Sequence, residues 1–444
     1  MEPRATGTRD TAGACDGFDD RKLEAFSFIT AGLSWLSSYA VFRWLLPVMR
    51  FITPVFRVPF LGWEIVLRYD EVREVLSQDK EFPVSWGEKM VEVTGGPDAG
   101  GRNFVLGMPR GDEYRLSYEQ IAKAFPLADV TKHVYRLSKH AAERILAAHG
   151  GVEQVEFDAV EKLITAVPTE LCETYYGIEI PDKVAFARWT LPVSSYLFGP
   201  PLGTPATSPP ADAELMNSAA ACLRRLIRHS IDRAKNGSPQ LGVVLPELIR
   251  MQRKDPRITD DVIHAQLFGM VLGFIPTNVL AGGNILDTLL LRPPFMERTR
   301  AAALAGDDDL LWRCLREALR FRNINLGPWR ICSKGYSIAA GRFREVRIPR
   351  GAQVLASTQA AMFDPRRIER PHAFDPDRPD EDYLVFGVGQ HWCVGAYIAI
   401  AQITQTFKPL LKKQALKRVE GRRGCMQRYN VFPLHLHVRY RQRS

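Results

Sequence analysis

Apolar positions recur at helical spacing along most of the chain, and they alternate in only a few short segments. The stretches ADVTKHVYRLSKHAAERILAAH, from Ala128, and DDVIHAQLFGMVLG, from Asp260, repeat apolar residues at intervals of three and four, which predicts helices. Residues 57–69 and 335–348 have the composition and turn signals of β hairpins. The pattern therefore predicts a mainly α fold with minor β structure.

The segment LHLHVRY near the C-terminus alternates strictly, which predicts a strand. Leu434, Leu436 and Val438 should then face the core, and His435 and His437 should face away from it. Two such histidines could chelate a metal, but no third ligand is near them in the sequence. We therefore interpret them as a solvated strand face.

The N-terminal part of the chain divides into a polar tail and an apolar segment. Residues 1–22 are polar and charged, which predicts a disordered tail. Residues 23–54 are predicted to be helical, and within them residues 25–42 carry no charge over eighteen positions, the lower limit for a membrane span. We expect this helix to pack on the globular body, and peripheral contact of residues 25–52 with a membrane surface is the alternative.

Neither an internal repeat nor a linker divides the rest of the chain, so residues 55–444 are predicted to form one domain. Two segments within it predict mobile loops, residues 93–103 because they are rich in glycine and residues 198–213 because they are rich in proline.

Composition and charge narrow the compartment and the partners. The formal charge is +9, and we interpret its concentration in residues 412–423 as a solvated face, with docking of an acidic protein as the alternative. The sequence has no basic stripe interleaved with aromatic residues, which argues against nucleic acid as a partner. The seven cysteines are scattered and form no CxxC pair, which argues against a zinc ribbon or a disulfide framework and favours the cytoplasm.

One cysteine has an unusual setting, in YLVFGVGQHWCVGAYIAIAQ, residues 383–402. Cys393 follows Gly387 and Gly389, and it precedes Gly395 and an apolar run that predicts a helix. A thiolate is a strong ligand for haem iron. Glycines let the backbone turn tightly around the sulfur and let the helix approach a flat cofactor, and the helix N-terminus favours an anion.

Two further residue types in this stretch suit the same chemistry. Phe386 should cover a thiolate from water, and His391 should donate a hydrogen bond to a haem propionate. The stretch is therefore interpreted as a loop that binds haem iron through Cys393.

The decapeptide FGVGQHWCVG resembles the cysteine-ligand loop of the cytochrome P-450 family, Phe-x-x-Gly-x-x-x-Cys-x-Gly. Upstream, EALR at 317–320 resembles the family's Glu-x-x-Arg, FDPDRP at 374–379 resembles the segment whose arginine completes that triad, and GPWRICSKGY resembles the strand whose arginine, here Arg330, pairs with a propionate. The resemblance covers roughly residues 55–440. It implies a single-domain haem-thiolate fold, with a long distal helix over a buried haem b and Cys393 as its axial ligand.

The triad has a physical basis in the spacing of its residues. Glu317 and Arg320 share one helix face because they are three residues apart. Arg378 can then close a buried network around the Glu317 carboxylate.

The distal helix departs from the family pattern Ala-Gly-x-(Asp/Glu)-Thr-Thr, whose acid and alcohol relay the protons that oxygen activation consumes. The corresponding segment is LGFIPT, residues 272–277, in which Gly273 is kept. The acid position is then Ile275 and the alcohol position is Pro276, neither of which carries a proton. Pro276 should also kink the helix.

An alternative alignment of the same segment makes Thr277 the alcohol, one place along, with Asn278 beside it. In either alignment Phe274 and Ile275 predict an apolar substrate surface over the iron.

A second departure concerns the helix that contacts the propionates, where the family has His or Trp followed by Arg four residues later. Tyr114 and Tyr118 occupy those places, and their hydroxyls can donate but carry no charge. Arg110 or Arg115 should supply the charge, and the sequence does not choose between them.

The resemblance implies an oxidoreductase of monooxygenase type that acts on an apolar small molecule. No redox domain is fused to the chain, so a separate ferredoxin or flavin reductase would supply electrons. The missing acid–alcohol pair leaves two alternatives open: a peroxygenase or lipid-hydroperoxide isomerase or dehydratase that needs no reductase, and a non-catalytic haem sensor or carrier.

Overall fold

A computed structural model describes residues 18–24, 39–148, 153–199, 210–237 and 241–442. Residues 1–17 of the predicted tail, residues 25–38 of the uncharged run and residues 200–209 of the proline-rich loop lie outside the described residues. Residues 18–22 of the predicted tail are described, and the helical turn Arg21–Glu24 buries Leu23 completely.

Helices make up most of the described chain, which confirms the predicted fold class. They are α1 Arg21–Glu24, α2 Tyr39–Ile52, α3 Tyr69–Ser77, α4 Gly87–Val93, α5 Asp112–Ala124, α6 Tyr135–Ala147, α7 Ala166–Thr174, α8 Lys183–Phe198, α9 Pro210–Lys235, α10 Val244–Gln252, α11 Asp260–Leu291, α12 Pro293–Ala305, α13 Asp308–Phe321, α14 Thr358–Ala361 and α15 Ala396–Leu411.

The strands form small sheets at the edges of the helical body. They are β1 Val55–Val58, β2 Trp63–Val66, β3 Gln154–Asp158, β4 Trp329–Ile331, β5 Tyr336–Ile338, β6 Val346–Ile348, β7 Gln353–Ala356, β8 Gln414–Arg418, β9 Gln427–Tyr429, β10 Phe432–His435 and β11 His437–Arg441. Both predicted hairpins are present, β1–β2 and β5–β6, and each pairs antiparallel. The first hairpin extends into a four-stranded sheet of order β1-β2-β7-β4, and β3-β11-β8 form a second sheet.

The 32-residue helix α11 is the centre of the core. It is apolar and long enough to cross a membrane, but 83% of its most apolar window is buried inside the protein, so it is a core helix. It continues through Pro276, where a backbone donor is missing. Two residues after the proline, the Asn278 side-chain amide donates to the Phe274 carbonyl at 2.7 Å. This side-chain hydrogen bond is an additional contact with the helix backbone near the missing donor.

The glycine-rich loop at residues 93–103, predicted to be mobile, is tied to its surroundings. Its Gly101 N–H donates to the Gly96 carbonyl at 2.7 Å. Arg224 on α9 donates to the Val93 carbonyl at 2.8 Å, and the Thr94 hydroxyl bonds the backbone of Arg102. These bonds fix the loop against the helices that it covers.

The C-terminal alternation is confirmed on its inner face, where Leu434, Leu436 and Val438 are buried. His435, predicted to be solvated, instead lies 2.6 Å from the Asp158 carboxylate, because the next strand, β11, pairs with β3 and sets His437 opposite Asp158.

Candidate active site

The cysteine loop turns sharply at its first two glycines. Gly387 and Gly389 have φ values of 72° and 75°, a left-handed conformation that other residues rarely adopt. A Cβ on Gly389 would also lie 2.8 Å from the Leu76 carbonyl oxygen. The Cys393 N–H donates to the Phe386 carbonyl at 3.0 Å, which closes the loop around the sulfur.

The Cys393 thiol lies in a setting that suits a metal-bound thiolate. Burial raises the pKa of this thiol to about 11, and the Gly395 N–H, which bonds the sulfur, opposes that rise. Helix α15 begins at Ala396, so its N-terminus is beside the sulfur. A Cβ on Gly395 would meet nothing within 4 Å, so open space adjoins the sulfur on that side. A haem would fill this space, and iron would replace the thiol proton.

Phe386 lies among aromatic side chains next to the cysteine. Its ring centroid is 6.3 Å from that of Trp312 on α13 and 6.4 Å from that of Trp392. These contacts make an apolar wall beside the Cys393 backbone, as the predicted role of Phe386 requires.

Arg330 is a buried cation that lacks a counter-ion. Its guanidinium donates to the Trp329 carbonyl at 2.9 Å, and within the described part of the chain no carboxylate lies within 4 Å of it. Burial lowers its pKa to about 10 despite the attraction of Asp79. A buried arginine needs an anion, and a haem propionate would be one.

His391 offers a second unsatisfied donor or acceptor on the same side. Its Nδ1 is buried and has no hydrogen-bond partner. Burial, reinforced by the charge of Arg330, lowers the pKa of this histidine to about 4, and a hydrogen bond to the Leu106 backbone opposes that fall. A propionate next to the unpaired Nδ1 would favour the ring form that carries a proton there. Arg330 and His391 therefore fit the two propionates, and together with Cys393 they fit a haem.

The residues of helix α5 that were predicted to face the propionates do not all lie next to the cysteine loop. The Tyr114 hydroxyl donates to the Gln390 carbonyl at 2.8 Å, and its ring stacks on Tyr118 at 5.9 Å. Arg115 forms an ion pair with Asp112 at the surface, where both side chains are mostly exposed. Tyr114 thus braces the cysteine loop, and Arg115 lies away from it.

Arg110 is the arginine that reaches the cysteine loop. Its Nε donates to the Gln390 side chain at 2.8 Å, and its Nη2 lies 3.2 Å from the Asp79 carboxylate. The sequence left open whether Arg110 or Arg115 supplies charge near the propionates, and these contacts favour Arg110.

On α11, the face that is not covered by protein carries Gly273 and Thr277. Gly273 is exposed and a Cβ there would meet nothing within 4 Å, and Thr277, four residues later, is partly exposed. Residues four apart share a helix face, so both adjoin the same space. The Thr277 hydroxyl donates to the Gly273 carbonyl.

The intervening residues Phe274 and Ile275, which were predicted to form a substrate surface, are buried on other sides of the helix. Phe274 packs its ring 5.5 Å from that of Tyr176, and Ile275 is fully buried in the core. Each helical residue is rotated by about 100° from the last, so neither can share the face of Gly273. Pro276 is also buried. The geometry therefore favours the alignment in which Thr277 is the alcohol and Pro276 occupies the position of the acid.

The sequence did not identify Phe104 as a residue of this face. Its ring lies against Gly269, one turn before Gly273, so closely that a Cβ on Gly269 would be 2.3 Å from it. The only sequence signal is the glycine itself, which admits an aromatic ring against the helix. Phe104 is itself buried, and it covers α11 one turn before Gly273.

Asn278 lies one residue beyond Thr277 and is buried. Its side-chain oxygen has no hydrogen-bond partner, while its amide is held by the Phe274 carbonyl. The oxygen is a buried acceptor without a partner among the described residues.

The predicted triad meets in a fully buried network. Arg320 donates to both Glu317 oxygens, at 2.8 and 2.7 Å, and Arg378 Nε lies 3.3 Å from one of them. The Tyr383 hydroxyl donates to Glu317 at 2.8 Å, and so does the Asp375 N–H at 3.1 Å. Tyr383 was not predicted, because nothing in its sequence neighbourhood indicates a carboxylate 66 positions upstream.

Two other predicted features lie away from this site. Asp158, Glu161 and His435 are close enough to hold a metal, but Arg188 and Lys162 already pair with Glu161. The basic segment 412–423 follows the far end of α15, a 16-residue helix about 24 Å long. Within this segment, Arg418 pairs with Asp287 and Arg423 pairs with Glu156.

Known proteins resemble the chain in both sequence and structure. Residues 305–431 match the family model for cytochrome P-450. The chain is 26% identical to the cytochrome P-450 monooxygenase PikC of Streptomyces venezuelae, over 79% of this chain and 77% of that protein. It is also 26% identical to the 6-deoxyerythronolide B hydroxylase of Saccharopolyspora erythraea, over 85% of this chain and 87% of that protein.

Among solved structures, the fold is similar to that of cytochrome P-450 TbtJ1 in its ligand-free form. The TM-score is 0.71 at 24% sequence identity, over 90% of this chain and 97% of the other. This likeness extends well beyond the region that matches the family model.

Proposed function

Because the chain belongs to the cytochrome P-450 family and is an oxidoreductase that binds haem b through Cys393, we propose that it inserts oxygen from O2 into an apolar small molecule, with electrons from a separate ferredoxin or flavin reductase. We also propose the cytoplasm as its compartment. The observation that carries the proposal is Thr277, whose hydroxyl stands on the open face of α11 beside Gly273.

When bound, the haem supplies the redox chemistry of oxygen activation. The chain would hold it through the Cys393 thiolate, with Arg330 and His391 on the propionates. Thr277 would hold a proton at Oγ1 and deliver it to the open face. Phe104 would exclude bulk water and orient an apolar substrate.

Thr277→Ala tests this proposal in purified protein supplied with NADPH and a surrogate reductase. We expect NADPH consumption to continue while product formation falls about 10²–10⁴-fold, because a general acid contributes that much. Thr288→Ala, at a buried threonine on the same helix, is the matched control and should stay coupled. Coupled turnover by Thr277→Ala would overturn the assignment.

A second function is favoured by Pro276, which places no acid before the alcohol. A peroxygenase or a lipid-hydroperoxide isomerase or dehydratase needs no such relay. Parallel reactions with hydrogen peroxide and with a lipid hydroperoxide separate these functions, since product in either reaction but none with NADPH would replace the monooxygenase.

Pro276→Asp should raise coupled NADPH turnover, since it restores the family's order of acid followed by alcohol. The expected gain is about tenfold, less than a full general-acid contribution, because position 276 is buried and a carboxylate there would be desolvated. Pro276→Ala is the control, because it removes the proline without adding an acid. Equal turnover of the two variants would show that the acid position is not at 276.

A further inference from the structure

One face of helix α2 exposes large apolar side chains to solvent. Trp44 and Phe51 are 74% and 73% exposed, while Leu46 and Arg50 on the opposite face are buried against the body. The exposed members are spaced at one helix face and are Trp44, Leu45, Val48, Phe51 and Ile52.

The tips of both β hairpins extend this face. Phe60 at the β1–β2 turn is fully exposed, with a φ of 67° that an aromatic residue rarely adopts. Phe343 at the β5–β6 turn is 99% exposed. We call the side chains of Trp44, Leu45, Val48, Phe51, Ile52, Phe60, Leu61 and Phe343 the aromatic face.

Three contacts join these segments into one surface. Arg344 in the β5–β6 turn donates to the Phe51 carbonyl and lies over the Phe51 ring, 5.7 Å from its centroid. The Gln353 N–H donates to the Gly62 carbonyl at 3.1 Å, which fixes the β1–β2 turn beside β7. Arg57 Nη2 donates to the Arg347 carbonyl at 3.3 Å.

A cavity of about 320 Å³ opens next to the aromatic face; Phe343 belongs to both, and Arg344, which lies over the Phe51 ring, lines the cavity. Its charged lining consists of Arg68, Arg342, Arg344, Arg366, Arg367, Asp70, Glu71 and Asp364. The lining therefore has five positively charged and three negatively charged side chains. Within the described residues, no carboxylate lies within 4 Å of the guanidinium groups of Arg342 or Arg366.

We propose that the aromatic face docks on an anionic phospholipid bilayer and that the neighbouring arginine cavity binds the phosphate of a lipid headgroup. Exposed aromatic and aliphatic side chains bordered by arginines are the composition of an interfacial membrane surface. The uncharged run of residues 25–42 overlaps the start of α2 in sequence, and an uncharged apolar sequence favours a bilayer over an acidic soluble protein as the occupant. The docking is peripheral, and it is independent of the oxygen chemistry proposed above.

Co-sedimentation of the haem-loaded full chain with vesicles tests the proposal. We expect binding to vesicles of phosphatidylglycerol and phosphatidylcholine, weaker binding to phosphatidylcholine alone, and a loss of the difference at high salt. Phe60→Ser with Phe343→Ser should weaken binding at least about tenfold per residue, because each buries a full aromatic side chain. Arg342→Gln with Arg366→Gln should weaken binding to the anionic vesicles about fivefold per arginine.

The matched controls are Leu304→Ser, at an exposed leucine on α12, and Arg136→Gln with Arg253→Gln, at exposed arginines elsewhere. These variants should bind as the parent does. Absence of vesicle binding by the parent would overturn the proposal. The proposal would also be overturned if the parent were a dimer that the double variant Phe60→Ser with Phe343→Ser dissociates. The aromatic face would then bind a second copy of the chain. Equal binding to both vesicle types, insensitive to Arg342→Gln with Arg366→Gln, would overturn the headgroup site.

Free inorganic phosphate distinguishes a lipid site from a general anion site. Phosphate at millimolar concentration should weaken binding to anionic vesicles by no more than about twofold, because the apolar contacts remain. Complete release by phosphate would show that the cavity takes the free anion and that the aromatic face contributes nothing.

Discussion

Replacing Cys393 with serine should abolish the absorbance band of the reduced, carbon monoxide-bound protein that gives the cytochrome P-450 family its name. That band requires a thiolate opposite the gas, and a serine hydroxyl does not lose its proton to become an equivalent ligand. Product formation should be lost with the band, because the Cys393 thiolate would hold the haem iron. The measurement is a reduced carbon monoxide difference spectrum normalised to bound haem.

Cys425→Ser is the control for the loss of a thiol in general, since Cys425 is free and exposed. It should keep the band at full height. A Cys393→Ser protein with the parent spectrum would show that another residue ligates the iron and would remove the basis of the site.

Local spacing made the cysteine loop predictable from sequence. Gly387 and Gly389 must turn the chain within a few residues of Cys393, so the geometry is contained in the motif itself. Glu317 and Arg320 are equally local, three residues apart on one helix. Arg378 entered only through the family resemblance, because its approach to Glu317 depends on how residues 321–378 fold back.

The distal side was not predictable in the same way. Helical periodicity places Gly273 and Thr277 on one face, but it does not say which face adjoins the open space. Packing decides which face is open. Phe274 packs against Tyr176 and Ile275 is buried in the core, so Thr277 lies on the open face. A motif with a substitution at its centre has two alignments until tertiary contacts decide between them.

The aromatic face shows the same limit at longer range. Apolar residues near the N-terminus predicted a helix packed on the body, and α2 does bury Leu46. The sequence could not show that its other side would meet Phe60 and Phe343, since these residues come together only when both hairpins have formed.

Glu317→Ala should destabilise the protein by about 3–5 kcal/mol, the range for removing one partner from a buried ion pair. Arg320 and Arg378 have side chains that are 0% and 3% exposed, and the Glu317 carboxylate is the partner they share. Both would keep carbonyl acceptors, Arg320 those of Met362 and Pro371, so hydrogen bonding is partly preserved while charge balance is lost. The network links α13 to the segment before the cysteine loop, so haem retention should fall together with stability.

Thermal unfolding and the ratio of haem to protein measure both effects. Glu143→Ala, at an exposed glutamate on α6, is the control and should change the free energy of unfolding by less than about 0.5 kcal/mol. Glu317→Gln should fall between the two, because it keeps an acceptor for Arg320 and Tyr383 but not the charge. If Glu317→Ala were soluble, haem-replete and as stable as Glu143→Ala, the two arginines would be satisfied by backbone carbonyls alone. The carboxylate would then be dispensable to the fold.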